Sequence, residues 1–198
     1  MPLAPHVTPN PVHMRGLLSD QLTLRLLTTK DIPALMQLRG DVLASLAHPD
    51  LYVRELTEME FVQAHIDATK ARGETIGVFD GSRLVAYGML GLPQRGEPGN
   101  LGCFFNDECV EARTAHLASC MVSQPYRGRH LQRLLLKARM ALARGRGRNF
   151  FVAMVSPHNH ASQRNLMREG FHVGWTGEIG GLKRQLLTVD LSIPLTRF

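Results

Sequence analysis

No stretch of this chain has the roughly 20 uninterrupted apolar residues that a membrane-crossing helix requires, so no such span is expected. Cysteine is scarce. Cys103, Cys109 and Cys120 are odd in number and lack CxxC spacing, which argues against a disulfide framework or a cysteine-held zinc and suits a reducing, cytoplasmic setting. Aromatic residues make up only 6% of the chain, with a single tryptophan, and they are not interleaved with the basic residues. No nucleic-acid partner is therefore expected. Acidic residues are in the minority, 17 against 23 Lys+Arg, for a formal charge of +6. That balance points to an anionic partner without choosing one. The histidines of "HNH", His158 and His160 around Asn159, have no further ligands, and no metal is expected. The opening "MPLAPHVTPNPVHMRG" has no continuous apolar core of the secretory kind. Residues 1–19 are read as a flexible arm, and 20–198 as one domain long enough to bury a substantial core.

Apolar and polar residues alternate in "QLTLRLLTTKD" as in a half-buried strand that ends in a turn. The spacing of Ile32, Leu35, Met36 and Leu38 predicts a helix with Asp31 as N-cap and Pro33 in its first turn, interrupted at Gly40. A second helix is expected from Thr57 to Arg72, with Thr57 and Glu60 as a capping box. Asp80-Gly81 between two apolar runs predicts a hairpin. Leu92 to Thr114 is rich in Gly, Pro, Asn and acids, a long loop of the functional kind. "TAHLASCMV" and "NFFVAMVS" read as interior strands, each followed by a helix, and "FHVGWTG" with "KRQLLTVDL" as a closing antiparallel pair. The order is strand, helix, helix, hairpin, strand, helix, strand, helix, two strands: an α/β chain with a mixed sheet and no internal repeat.

Positive charge is concentrated at "SQPYRGRHLQRLLL", where a turn enters a leucine-rich helical pattern. A helix start is already the positive end of the backbone dipole and favours acidic residues, so Arg127 and Arg129 there point to an external anion. Four unpaired N–H groups await it, Gly128 permits a tight turn, and the arginines add charge-assisted hydrogen bonds.

This stretch resembles the acetyl-CoA pyrophosphate loop, Gln/Arg-x-x-Gly-x-Gly/Ala, of the GNAT superfamily of acyl-CoA-dependent N-acyltransferases. "SPHNHASQRNLMREGF" resembles that family's Asn-x-x-Ser/Ala helix ending in Gly-Phe. The resemblance spans about Leu22 to Leu191. It implies a single-domain GNAT fold with a mixed, mostly antiparallel central sheet, flanking helices and splayed central strands. With Arg127 as the first signature position, His130 stands at the middle Gly and Gln132 at the Gly/Ala. Both carry a Cβ, and the loop is expected to accept them without positive φ.

What the resemblance implies for the site follows residue by residue. Acetyl-CoA would contact Cys120, Met121 and Val122 on the first splayed strand, the loop and first turn (Arg127, Gly128, Arg129, His130, Leu131, Gln132, Arg133), and Asn159 ahead of the later helix. An amide of Met121 or Val122 would polarise the thioester carbonyl. The family's strand-borne Glu has no counterpart here. By alternation Thr114, His116, Ala118 and Cys120 share one face, and His116 is the base among them, with Glu111 and Glu108 held in reserve. The family's tyrosine acid falls at Leu166, leaving Ser162 and Ser156 as hydroxyl donors. Arg133, Lys137, Arg164 and Arg168 either meet the 3′-phosphate or coat solvated helix faces. The expected activity is transfer of an acetyl or acyl group to a small or peptide primary amine by direct attack. The alternative is a catalytically silent acyl-CoA-binding sensor or partner module. Asp31 to Arg72 and the Leu92 to Arg113 loop are expected to wall the acceptor side, and a homodimer is left open.

Overall fold

The computed structural model describes residues 22–46, 48, 51–52, 62–66 and 73–192. The arm over 1–19 and, apart from 62–66, the helix expected from Thr57 lie outside the described residues. The elements are β1 (Leu22–Leu26), α1 (Ile32–Ala44), β2 (Gly73–Asp80), β3 (Arg83–Gly91), α2 (Glu108–Ala112), β4 (Thr114–Val122), α3 (Leu131–Gly145), β5 (Phe150–Val155), α4 (His160–Met167), β6 (His172–Ile179) and β7 (Leu182–Asp190).

The strands form one seven-stranded sheet in the order β1-β2-β3-β4-β5-β7-β6. Every adjacent pair is antiparallel except β4 and β5. That parallel pair holds only from Thr114↔Phe150 to His116↔Val152, after which the two strands part. Asp80 pairs with Arg83 across the expected hairpin, and Gly81 sits at φ 57° as such a tight turn demands.

Each sheet face is closed by helices because alternate residues of the central strands are apolar on both sides. On one face, Leu134, Leu135, Ala138 and Leu142 of α3 and Leu166 of α4 pack over Ala115, Leu117, Phe151 and Ala153. Each such leucine contributes roughly 1.5–3 kcal/mol by leaving water. On the other face, Leu35, Leu38 and Val42 of α1, with Val62 and Ile66, cover Tyr87, Met89 and Met121.

Three local expectations are corrected. Gly40 does not interrupt α1, which runs through it to Ala44; nothing lies against its α-carbon, and the buried stripe of Leu35, Leu38 and Val42 holds the helix on either side. Asp31 does precede the helix, but its carboxylate turns back to accept from the Thr28 amide (2.8 Å) and the Arg25 guanidinium (2.7 and 2.8 Å) rather than capping α1. The long 92–113 segment is not structureless. It contains a 3-10 turn at Leu101–Phe105 and α2, which is capped by Asp107. Phe104 stacks near Trp175 (4.6 Å between centroids) and Phe105 meets Phe150 edge-on (5.2 Å), covering β5, β6 and β7.

Candidate functional site

The site begins with an irregularity in β4. Ala118 pairs with Met89 and Cys120 with Gly88, so Ser119 has no partner on β3. Its φ of 30° marks a β-bulge, the device that bends a strand and re-aims its side chains. The bulge breaks the expected alternation. Ala118 and Met121 pack toward α1, whereas Cys120 and Val122 pack toward α3. Cys120 therefore does not share a face with Ala118. Where β4 leaves β5, a cleft of about 680 Å³ opens between them, lined by Ser119, Cys120 and Met121 on one side, Ala153 to Val155 on the other, and Val42 and Tyr52 above. Beyond His116 neither strand uses its facing edge, so each offers unpaired N–H and C=O groups to whatever fills the gap.

The cleft runs out to the start of α3. Gly128 adopts φ 79°, and His130, the residue capping the helix, φ 59° and ψ 15°. The expectation that His130 would avoid positive φ is corrected: the histidine takes the left-handed conformation that glycine would have supplied, one that His visits more readily than bulky or branched residues. Leu131, 3% exposed, anchors the first helical residue in the core. Arg127 lines the cleft mouth, with Nη2 donating to Ser45 Oγ at 3.1 Å and Nε to the Val122 carbonyl at 3.4 Å. Arg129 is exposed, its guanidinium 4.9 Å from the centre of the Tyr126 ring. Gln132, at the position that would be small, reaches across to α4: Nε2 donates to Ser162 Oγ (3.2 Å) and Oε1 accepts from Asn165 (2.6 Å). Asn159 caps α4, accepting from the Ser162 amide at 3.1 Å. Arg133 instead points to Glu169, with Nε at 2.7 Å, and lies outside the cleft lining.

The expected bases are not brought to the cleft. His116 is held in the paired half of β4, where its Nε2 accepts from the Leu101 amide at 3.0 Å. Burial and the nearby His65 charge push its pKa down to about 4. Glu111 accepts from the Gly96 amide (2.8 Å) within the 92–113 segment, and Glu108 pairs with Arg95. No residue of that segment lines the cleft, so among the two expected walls only the α1 side, with Val42, Leu46, Leu51 and Tyr52, is present there. Ser156 is buried at 2% exposure, its Oγ accepting from the His158 amide. Ser162 does line the cleft, as do Cys120, Met121, Val122 and Leu166. Burial raises the Cys120 pKa, which keeps it a thiol.

Two groups were missed by sequence reasoning. The first is a hydroxyl cluster at the bulge. The Tyr52 hydroxyl hydrogen-bonds Ser119 Oγ, and Arg39 Nη1 donates to both, at 2.8 and 3.2 Å. Tyr87, whose pKa is pushed to about 12 chiefly by burial, stands behind them. The sequence holds no signal for this cluster, because the bulge that aims Ser119 is invisible in it. The second is Arg139 of α3, 2% exposed and lining the cleft. Its Nε donates to Leu135 O (3.1 Å) and its Nη1 to Met89 O (3.0 Å) and Ala118 O (2.9 Å). Gly88 leaves the room it occupies: a Cβ there would lie 2.9 Å from Arg139 Nε. This one had a signal, a charge one turn after Leu135 on an otherwise apolar helical stripe.

Comparison with known proteins gives three findings. The model of the acetyltransferase (GNAT) family matches residues 41–171. No curated protein matches the chain in sequence. Among solved structures, yncA of Salmonella typhimurium, determined with its cofactor acetyl-CoA, is similar at 21% identity and TM-score 0.64, covering 87% of this chain and 95% of that one. The ribosomal-protein-alanine N-acetyltransferase of Brucella melitensis is similar at 22% identity and TM-score 0.62 (85% and 99% covered). The ribosomal-protein-S18-alanine N-acetyltransferase of Escherichia coli is similar at 15% identity and TM-score 0.61 (89% and 98% covered).

Proposed function

Because the chain belongs to the acetyltransferase (GNAT) family, we propose that it transfers an acetyl group from acetyl-CoA to a primary amine by direct attack, with no acyl-enzyme. The observation that carries this reading is the parting of β4 from β5 into a gap that ends at the cationic start of α3. The residues present suit acetyl-CoA. A diphosphate matches the free amides at the head of α3, framed by Gly128 and His130 and flanked by Arg127. A pantetheine arm, rich in amides, matches the two open strand edges. The bound thioester would supply an activated acyl carbon; the chain's own groups do the rest.

The amides on the open edge of the parted half of β4, Val122 among them, are the donors available to a carbonyl oxygen in the gap. An alkylammonium acceptor, pKa about 10, must lose one proton before it attacks and a second from the same nitrogen as the amide forms. The Tyr52 and Ser119 hydroxyls, held by Arg39, are the hydrogen-bonded pair nearest the bulge and pass these protons toward water. As the N–C bond forms, the C–S bond breaks and its electron pair leaves on sulfur. The acceptor approaches from the α1 side, where Val42, Leu46 and Tyr52 form the wall.

Release of CoA thiol from acetyl-CoA, measured with a panel of small amines and peptides that includes N-terminal alanine, tests the proposal. Turnover on at least one amine is the expected result. Tight acetyl-CoA binding with no turnover on any would instead favour a silent acyl-CoA-binding module, a reading that Leu166 at the family's acid position favours. Acetylated Cys120 found by mass spectrometry during turnover would overturn direct attack.

A further inference from the structure

Arg139 carries a charge that the fold does not neutralise. Its guanidinium is buried beneath the sheet, and its three hydrogen bonds all go to main-chain carbonyls. No carboxylate there pairs with it, whereas Arg25, Arg113, Arg133 and Arg146 each meet one. The titratable side chain that acts on it is Cys120, which burial keeps protonated. Removing an unpaired cation from water costs several kcal/mol. Such a site is stabilised by any anion that enters the cleft, and Arg139 lines that cleft beside Cys120.

The acyl transfer proposed above creates one such anion there, the sulfur that departs when the C–S bond breaks. The tyrosine that the family resemblance would put there to protonate it is missing, since its position holds Leu166, an apolar, buried residue of the cleft wall. We infer that the Arg139 guanidinium is the counter-charge for the departing thiolate, so that sulfur leaves as an anion without receiving a proton in the cleft. The electron pair of the broken C–S bond stays on sulfur. The amine nitrogen sheds two protons, one before attack and one as the amide forms, and both leave through the Tyr52 and Ser119 side. The thiolate is protonated only once it reaches water.

This inference rests on the proposed acyltransferase reading, and a binding experiment separates the two. CoA and desulfo-CoA, which lacks only the sulfur, are titrated calorimetrically into the full chain across a pH range spanning the free thiol pKa of about 8.5. With Arg139 as counter-charge, the bound thiol ionises more readily than the free one. CoA then gains on desulfo-CoA as pH rises, reaching about tenfold tighter binding for each unit by which the pKa falls. Thiolate absorption in the ultraviolet appears at lower pH in the complex than in free CoA. In Arg139→Met the advantage disappears while desulfo-CoA affinity stays within about threefold; Arg139→Lys retains part of it.

A CoA advantage that is constant or shrinks with pH in the wild-type protein overturns the inference. That comparison decides even if Arg139→Met does not fold. An advantage that survives in a folded Arg139→Met also overturns it. If neither ligand binds the wild-type chain, the acyltransferase reading itself fails.

Discussion

The two halves of β4 are built for opposite ends. From Thr114 to His116 the strand is paired to β5, and at His116 to β3 as well. Its ionisable side chain, His116, is spent on the Leu101 amide. From Leu117 to Val122 it keeps only β3, acquires a bulge at Ser119, and leaves its other edge open to the cleft. The paired half fixes the sheet and the parted half holds the site. A histidine three residues from a bulge can thus be structural while a serine at the bulge faces the cleft. Position within a strand says less about role than which edges that strand leaves open.

Substitutions in the two halves should therefore separate activity from stability. The largest effect is expected for Tyr52→Phe, which removes the hydroxyl bound to Ser119 and Arg39. The kcat should fall about a hundredfold, the lower range for lost proton transfer, with acetyl-CoA affinity unchanged in a direct binding titration. An unchanged kcat would take the hydroxyl cluster out of the proton path. Next comes Arg127→Ala, for which steady-state kinetics should give a KM for acetyl-CoA raised about tenfold with little change in kcat, because its contact is made before and during reaction alike. A kcat loss at constant KM would contradict that.

In the paired half, His116→Ala strands the Leu101 amide. It should cost about 1–3 kcal/mol in denaturant unfolding while leaving kcat close to wild type. A collapse of kcat with intact stability would restore His116 to the chemistry and dissolve the contrast. Last comes the pH dependence, which acts only in acid. The folded chain holds His116 near 4 against its ordinary 6.5. The unfolded chain therefore takes up the proton first as pH falls. The contribution of the neutral imidazole is fully present above pH 6.5 and drains away toward pH 4, by at most about 3 kcal/mol. The acid unfolding curve of His116→Gln should be flatter over that window.

Much of the fold was legible because periodicity and turn chemistry are local. The Asp80-Gly81 hairpin, β4, α3, β5, α4 and the closing pair β6–β7 fall where residue patterns placed them. So does the cationic helix start, since Gly128 and its flanking arginines are contiguous in sequence. The bulge was not legible: a serine between Ala118 and Cys120 reads as an ordinary polar position of an alternating strand, yet the bulge there redirects Cys120 away from Ala118. Tyr52 and Arg39 reach Ser119 only through tertiary packing of α1 on β3 and β4. Gly40 looked like a breaker because intrinsic propensity was weighed without the buried stripe that overrides it. His130 was judged by steric averages, although histidine is among the residues that visit the left-handed region more often.

Gly88 and Arg139 are in effect one feature written at two places in the chain. A bare α-carbon on β3 makes the berth, and the guanidinium lying 2.9 Å from where a methyl would sit fills it. Drift at either position is therefore conditional on the other. Kindred chains should show glycine at the first wherever arginine stands at the second, and a side chain on the strand only where the helix has surrendered its charge.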